Sequence, residues 1–474
     1  MSNVAKKLDI HSLISIGIMV FARFIPVNYP FTPEGMMLFG IFIGSIYGIV
    51  KGNIFATCIL ALLLLGASDV TTVTAVFVSV LSNSVVMFLI FLFIFVGYLN
   101  SVGFASTLAL KIVQSRVTKG RPWVLTMLLM FAAFLPSSFM SVTAVFLISL
   151  PLLYAICEQV GMERTDKWPT LTAIAMACAC SFGLFFWPFQ VGPAGIFGQV
   201  EAAGYEGGVP FLQYVLYMAV IVGLCILALT LVIKLLKPDI SKLYSYSPPE
   251  EKVKFNSDQK FAGVLVIMLL VLFTVPQFLP AGTEIHRFFA QFGTFAIVAF
   301  LLALGSVFRK DGKARINVAE AAKGLQWPLV IMVGTILAIT GQLLRPEFGF
   351  TVLITQSLGP IIGAGGELLF TIIVLLLAYI ITNVLNAPTI AALMVPVVVP
   401  IAMASGFSVM RTMVPFMMVA YIGLTFPSAH PLAAIIHGHE SIGPKPILKY
   451  IPLFMAVSFL IALLVGLPLS RILF

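Results

Sequence analysis

Two short stretches of this sequence carry uncharged hydrogen-bonding side chains in otherwise apolar surroundings. The first knot holds Ser137, Ser138, Ser141 and Thr143. The second holds Thr382, Asn383, Asn386 and Thr389, with Pro388 among them. Hydroxyl and carboxamide groups form directed hydrogen bonds without a charge of their own. Where a helix begins, unpaired backbone N–H groups add a partial positive charge. Together these donors can hold a small anion out of water. Further along from each knot the apolar sequence is interrupted again, at Gly192-Pro193 with Ser181 upstream and at His430-Pro431 with Ser428 upstream. The substrate-binding set expected from this pattern is Ser141, Thr143, Asn386, Pro388, Thr389, Gly192, Pro193, His430 and Pro431. The run Phe185-Phe186-Trp187-Pro188-Phe189 beside the first interruption serves either as packing or as an apolar wall of the site.

His430, His437, His439 and Glu440 fall in one short stretch and offer a rival chemistry. Histidine titrates near neutral pH, so the group can couple a proton. Alternatively, His437 and His439 lie at the membrane interface beside Lys445. Two positions apart, they do not share a helix face as a zinc-binding pair does. Neither H-E-x-x-H nor G-x-S-x-G is present, so no metal site and no catalytic residues are expected. Cys58, Cys157, Cys178, Cys180 and Cys225 lie in or beside apolar stretches and read as small apolar fillers.

The elements that position these residues must be membrane spans. Hydrophobic residues make up 60% of the chain and charged residues 9%; a soluble domain carries roughly 25% charged residues. A span takes about 20 apolar residues, and about eleven spans are expected along the chain. Simple spans are expected at 10–27, 35–50, 53–68, 84–102, 211–236, 260–280, 289–308, 327–344 and 447–472. Lys6 and Lys7 before the apolar run Ile10–Val20 resemble a secretory signal, but Phe21-Ala22-Arg23-Phe24 supplies no small-residue cleavage site, so a retained first span is expected. The net charge of +9 is carried in short loops, which points away from nucleic acid. With the N-terminus inside, every Lys and Arg except Arg23, Arg287, Arg345, Arg411 and Arg471 falls on the inner side, as the positive-inside rule asks. The C-terminus is then external. Trp123, Trp168 and Trp327 each open an apolar stretch beside a basic cluster and read as interfacial anchors. Residues 309–323 read as a short amphipathic surface helix or an ordinary loop.

Residues 122–157 and 367–404 do not read as simple spans, because each has two apolar arms around a knot. Aligned at an offset of 245, Ser137 meets Thr382, Ser141 meets Asn386 and Pro151 meets Pro396. Residues 169–200 and 408–442 start as helices and break near the middle. By the charge count the two copies face opposite sides of the membrane, the pattern of inverted-repeat transporters with broken helices. Non-helical backbone at membrane depth is tolerated only when buried or lining an aqueous cavity. The fold expected is therefore an all-α polytopic membrane protein, an inverted-repeat transporter with two re-entrant helical hairpins and two broken helices. Its parts are 1–83, N-terminal spans for scaffold and dimerisation; 84–236, the first repeat; 237–260, a cytoplasmic loop; and 261–474, the second repeat. The two hairpin tips are expected to meet near the midplane.

The segment Gly97-Tyr98-Leu99-Asn100-Ser101-Val102-Gly103-Phe104, followed by Leu108-Ala109-Leu110-Lys111-Ile112-Val113, resembles the part that precedes the inward hairpin in the divalent anion/sodium symporters. The resemblance runs from about residue 35 to the end, in layout more than in identity. It implies a carrier of sulfate, dicarboxylate or citrate type, a homodimer, and tips whose Ser-Asn-Thr triplets contact sodium and substrate. Here the first tip reads Ser141-Val142-Thr143 and the second Asn386-Ala387-Pro388, and Ala429-His430-Pro431-Leu432 stands where the family has Thr-Pro-Pro-Asn. A coupling Na⁺ would rest on oxygens of Ser137, Ser141, Thr382 and Asn386. The expected function is ion-coupled (Na⁺ or H⁺) secondary transport of a small anion across a plasma or inner membrane, with no cofactor. The alternatives are a cation/proton or arsenite-type exchanger of the same superfamily, or an intramembrane His/Glu enzyme. An exchanger usually needs a buried carboxylate, and 122–157 and 382–404 offer none in their inner parts.

Overall fold

The computed structural model describes residues 9–249, 253–280, 283–353, 356, 365–439 and 441–474, and nearly all of its regular structure is helical. Lys6, Lys7 and Glu440 lie outside the described residues. The N-terminal part contains α1 (Ile10–Phe21), α2 (Pro33–Lys51), α3 (Ile54–Gly66) and α4 (Val73–Ser82). Their starts are set by side-chain caps: Asp9, Thr32, Asn53 and Thr72 each accept a backbone N–H of the first turn. Gly40, Gly44 and Gly48 on α2 let α1 approach closely, and the Ser15 hydroxyl donates to the Gly44 carbonyl at 2.7 Å. Helix α4 falls between two expected spans; at 10 residues it is too short for hydropathy to pick out.

The first repeat follows with α5 (Ser84–Ser101), α6 (Phe104–Val113), α7 (Pro122–Ser137), α8 (Val142–Val160), α9 (Lys167–Phe186), α10 (Val191–Ala202) and α11 (Phe211–Leu235). The second contains α12 (Ser257–Thr274), α13 (Glu284–Val307), α14 (Val318–Ala321), α15 (Trp327–Leu343), α16 (Gly366–Thr382), α17 (Ala387–Ala404), α18 (Val409–Tyr421), α19 (Pro431–His437), α20 (Pro444–Ile461) and α21 (Leu467–Leu473). Among the described residues, eight helices are long and apolar enough to cross a membrane, and up to nine if the bent pair Val318–Gly324 and Trp327–Leu343 is one span. Shorter apolar helices, including the first arms of both hairpins, stand beside them. The chain is thus a multi-pass membrane protein.

The two expected hairpins are α7–α8 and α16–α17, and the two broken helices are α9–α10 and α18–α19. Ser137 and Thr382 end the first arms and Val142 and Ala387 begin the second, so the helix boundaries keep the offset of 245 seen in the sequence. Each first arm lies along the first half of its own broken helix. The second halves cross over: α10 packs on α17, and α19 packs on α8. This exchange makes one inverted-repeat core of the two halves.

Two expectations outside the core need correction. Residues 309–323 form no single amphipathic helix. Arg309–Lys310 pairs antiparallel with Lys313–Ala314 around a tight turn, and only α14 and one 3₁₀ turn follow. The turn residue Asp311 has φ 52° and Gly312 φ 78°, values that end a helix. Trp168 is no interfacial anchor: it is fully buried, and its indole N–H donates to the Thr126 hydroxyl at 3.0 Å.

Candidate functional site

At the first hairpin, α7 closes after Pro136 and the chain turns through Ser138–Ser141. The buried Ser137 hydroxyl reaches the Cys180 carbonyl on α9 at 3.0 Å as well as the Phe134 carbonyl at 2.7 Å. Ser138 is clamped from the first break: its hydroxyl accepts the Trp187 indole N–H at 3.1 Å, and its carbonyl accepts the Gln190 carboxamide. Ser141 then stands at the N-cap of α8 in extended backbone. It is exposed, and its side chain makes no capping bond.

The second hairpin repeats this plan with different residues. The Thr382 hydroxyl donates to the Ala420 carbonyl on α18 at 2.6 Å. Asn383 accepts the Thr425 hydroxyl at 2.5 Å, and the Val384 carbonyl accepts the Ser428 hydroxyl at 3.0 Å, both from the second break. Asn386 behaves differently from Ser141. Its side-chain oxygen accepts both the backbone N–H of Thr389 at 3.0 Å and the Thr389 hydroxyl at 2.6 Å.

The matching extends to positions that bear no ligand. Gly183 packs directly on Ser137 and Gly423 on Thr382; a Cβ at Gly183 would lie 2.6 Å from the Ser138 nitrogen, and one at Gly423 2.7 Å from the Thr382 hydroxyl oxygen. At the far ends of the first arms, Thr126 pairs with Trp168 and Thr371 with Thr412, the latter at 2.8 Å. Each hairpin is therefore stitched at both ends of its first arm to its own broken helix. No hydrogen bond joins the two tips to each other among the described residues. The halves approach instead at the breaks, where Gly192 faces the ring and hydroxyl of Tyr421 so closely that a Cβ has no room.

The first break lies at Trp187–Gln190, a few residues before the expected Gly192-Pro193, which sit in the first turn of α10. The correction has a simple cause: proline is tolerated in the first helical turn, where its missing N–H has no partner to lose. At the second break, His430 and Pro431 are at the start of α19 as expected, and the His430 Nδ1 accepts the Leu432 N–H at 3.1 Å. The histidines do not cluster. His437 Nε2 lies 3.0 Å from the Thr425 carbonyl, and the His439 ring is tilted 41° to that of Tyr154 with centroids 6.0 Å apart. Among the described residues no group of three or more His, Cys, Asp or Glu side chains is placed to hold a metal ion.

The four helix starts that follow the tips and breaks thus fall into two classes. In the second repeat, α17 and α19 are closed by their own N-cap side chains, Asn386 and His430. In the first repeat, Ser141 and Gln190 make no capping bond, so the first N–H groups of α8 and α10 are left for another acceptor. Among the described residues, no Asp, Glu, Lys or Arg is buried. Helix ends and uncharged side chains line the tips and breaks, and the partial positive charge of the two uncapped starts favours an anion there. Val142, buried beside Ser141, contributes no polar atom. Gln190, Tyr421 and Thr425 stand at the tips and breaks although residue types did not single them out. Aligning Gly183 with Gly423 would have pointed to them.

Comparison with known proteins gives two findings. A model of the family described as citrate transporter matches residues 37–384, which reach from α2 to the tip of the second hairpin. The crystal structure of the YdaH transporter of Alcanivorax borkumensis superposes with a TM-score of 0.56 at 14% identity, covering 98% of this chain and 96% of that one. At this identity the likeness speaks for the fold. A search of curated proteins gives no match.

Proposed function

The chain belongs to the citrate transporter family, and from that premise we propose that it is a secondary active carrier of a small organic anion of the citrate or dicarboxylate kind. The observation that carries this reading is the pair of uncapped helix starts in the first repeat. Ser141 and Thr143 there add hydroxyls to the free N–H groups of α8, and Gly192 brings the start of α10 close to Tyr421. A carboxylate can take charge-assisted bonds from such donors without a buried Lys or Arg.

A site with no fixed positive charge gains from a co-bound cation. We assign that role to Na⁺ or H⁺ entering with the substrate. Oxygens of Ser137, Ser141, Thr382 and Asn386 are the candidate sodium ligands, as in the divalent anion/sodium symporters that the sequence resembles. The hydroxyls of Ser137 and Thr382 already donate to backbone carbonyls, so only their lone pairs face a cation. Alternating access follows from the crossed packing: each second half of a broken helix moves with the other repeat's hairpin. The Lys- and Arg-rich loops are assigned to the cytoplasmic side of a plasma or inner membrane, and the N-terminal helices to a homodimer scaffold. The exchanger reading loses ground because no buried carboxylate is present among the described residues.

The test is uptake of radiolabelled citrate, malate, succinate and sulfate into proteoliposomes. An inward Na⁺ gradient and an inward proton gradient are imposed separately. Accumulation driven by one of them is expected. Uptake of none of these anions under either gradient would refute the reading.

A further inference from the structure

A cavity of about 680 Å³ opens among α5, the first break, α10, α11, α12 and α13, and no residue of either hairpin lines it. Its inner wall is aromatic. The rings of Phe189, Phe211 and Phe273 lie within 12° of parallel to one another, with centroids 5.2 to 6.1 Å apart. Phe88 meets Phe273 edge-on, and Trp187 stacks on the outer side of Phe189. The mouth of the same cavity is acidic. Glu201 and Glu206 both line it, together with the half-buried His286; both glutamates are exposed, and neither forms an ion pair among the described residues. The opening lies in the loops that carry few Lys and Arg.

Aromatic faces are electronegative and attract cations, most strongly where water is excluded. Two unpaired carboxylates at the entrance add to this field and repel the anions that the hairpin site accepts. An apolar body and a positive head are the chemistry that both features select. We propose that this cavity is a second binding site, for an amphipathic organic monocation with an aromatic or alkyl body and a single ammonium head. Because the cavity touches Pro188 and Phe189, its occupant bears on the break between α9 and α10. Trp187 links that break to Ser138 of the hairpin, so binding is reported at the indole.

The test uses the full-length protein in detergent and three probes with one body: 4-phenylbutylammonium, 4-phenylbutanol and 4-phenylbutyrate. Binding is followed by calorimetry and by tryptophan fluorescence. The ammonium is expected to bind saturably, about tenfold more tightly than the alcohol, with the carboxylate weakest. Glu201→Gln with Glu206→Gln should bring the ammonium down to the level of the alcohol. Phe273→Ala should weaken both, and the exposed glutamate pair keeps the test valid if that variant does not fold. Ser141→Ala should leave the ammonium and alcohol affinities unchanged. Addition of sphingosine, a lipid with a single ammonium head, separates the two natural sources of such a head: displacement of the probe identifies a lipid amine, and no displacement a free one. Equal binding of the three probes, an ammonium affinity unmoved by the glutamate pair, or its loss in Ser141→Ala would each overturn the proposal.

Discussion

The two hairpin tips are not equivalent, and substituting Ser141 and Asn386 separates what each does. In the free protein Asn386 caps α17 through two bonds to Thr389, at 3.0 and 2.6 Å. Loss of such a cap costs about 1 kcal/mol of local stability, roughly a fivefold rise in opening. Ser141 makes no capping bond, so its loss costs α8 nothing of the kind. Its hydroxyl is instead assigned to substrate in the proposed function. A hydrogen bond to a charged partner contributes about 1.5–3 kcal/mol, or roughly 10- to 150-fold in Kd. Hydrogen exchange read by mass spectrometry over residues 138–148 and 383–393 resolves the two effects. Without ligand, Asn386→Ala should speed exchange in the second segment about fivefold, while Ser141→Ala leaves the first segment unchanged. Saturating citrate should protect the first segment of the wild type more than the second, and Ser141→Ala should weaken citrate binding the more strongly. Equal protection of both tips, or stronger protection at 383–393, would refute the assignment of the anion to the first repeat.

Gly183→Ala and Gly423→Ala should each destabilise the protein by about 1–3 kcal/mol through overpacking, seen as a lower melting midpoint in detergent; Gly341, where a Cβ would meet nothing within 4 Å, should accept Ala without loss. Thr126→Val leaves the fully buried indole N–H of Trp168 without its acceptor and should cost about 1–3 kcal/mol, measured on the same melting assay. All five native cysteines are buried, so single substitutions can report sidedness. In intact cells an impermeant maleimide should label Glu284→Cys and spare Lys313→Cys, and the reverse pattern would invert the proposed orientation.

Much of this architecture is legible from residue order alone. Hydropathy places the spans because lipid leaves the backbone few ways to satisfy its hydrogen bonds. The offset of 245 that relates Ser137 to Thr382 in the sequence also relates the helix ends in the fold, since a polar turn between two apolar arms can be met at that depth only by a hairpin. The position of the first break is not legible in this way, because Pro193 signals a helix start as readily as a helix interruption. Nor is the role of Trp168: an indole beside basic residues suits the interface, and only its contact with Thr126 reveals a buried staple.

The difference between the repeats at their helix starts lies in the folded geometry. Ser141 and Asn386 are both residue types that cap helices well, and nothing in the order of residues tells which one turns back on its own helix. Packing decides it. Asn386 finds Thr389 one turn ahead, and His430 finds the N–H of Leu432. Gln190 instead reaches across to the Ser138 carbonyl, and Ser141 is left facing open space. The sequence determined a membrane carrier with two polar knots; the folded backbone decided that Asn386 closes on its own first turn, while Gln190 is drawn off to the distant Ser138 and leaves the start of α10 uncapped.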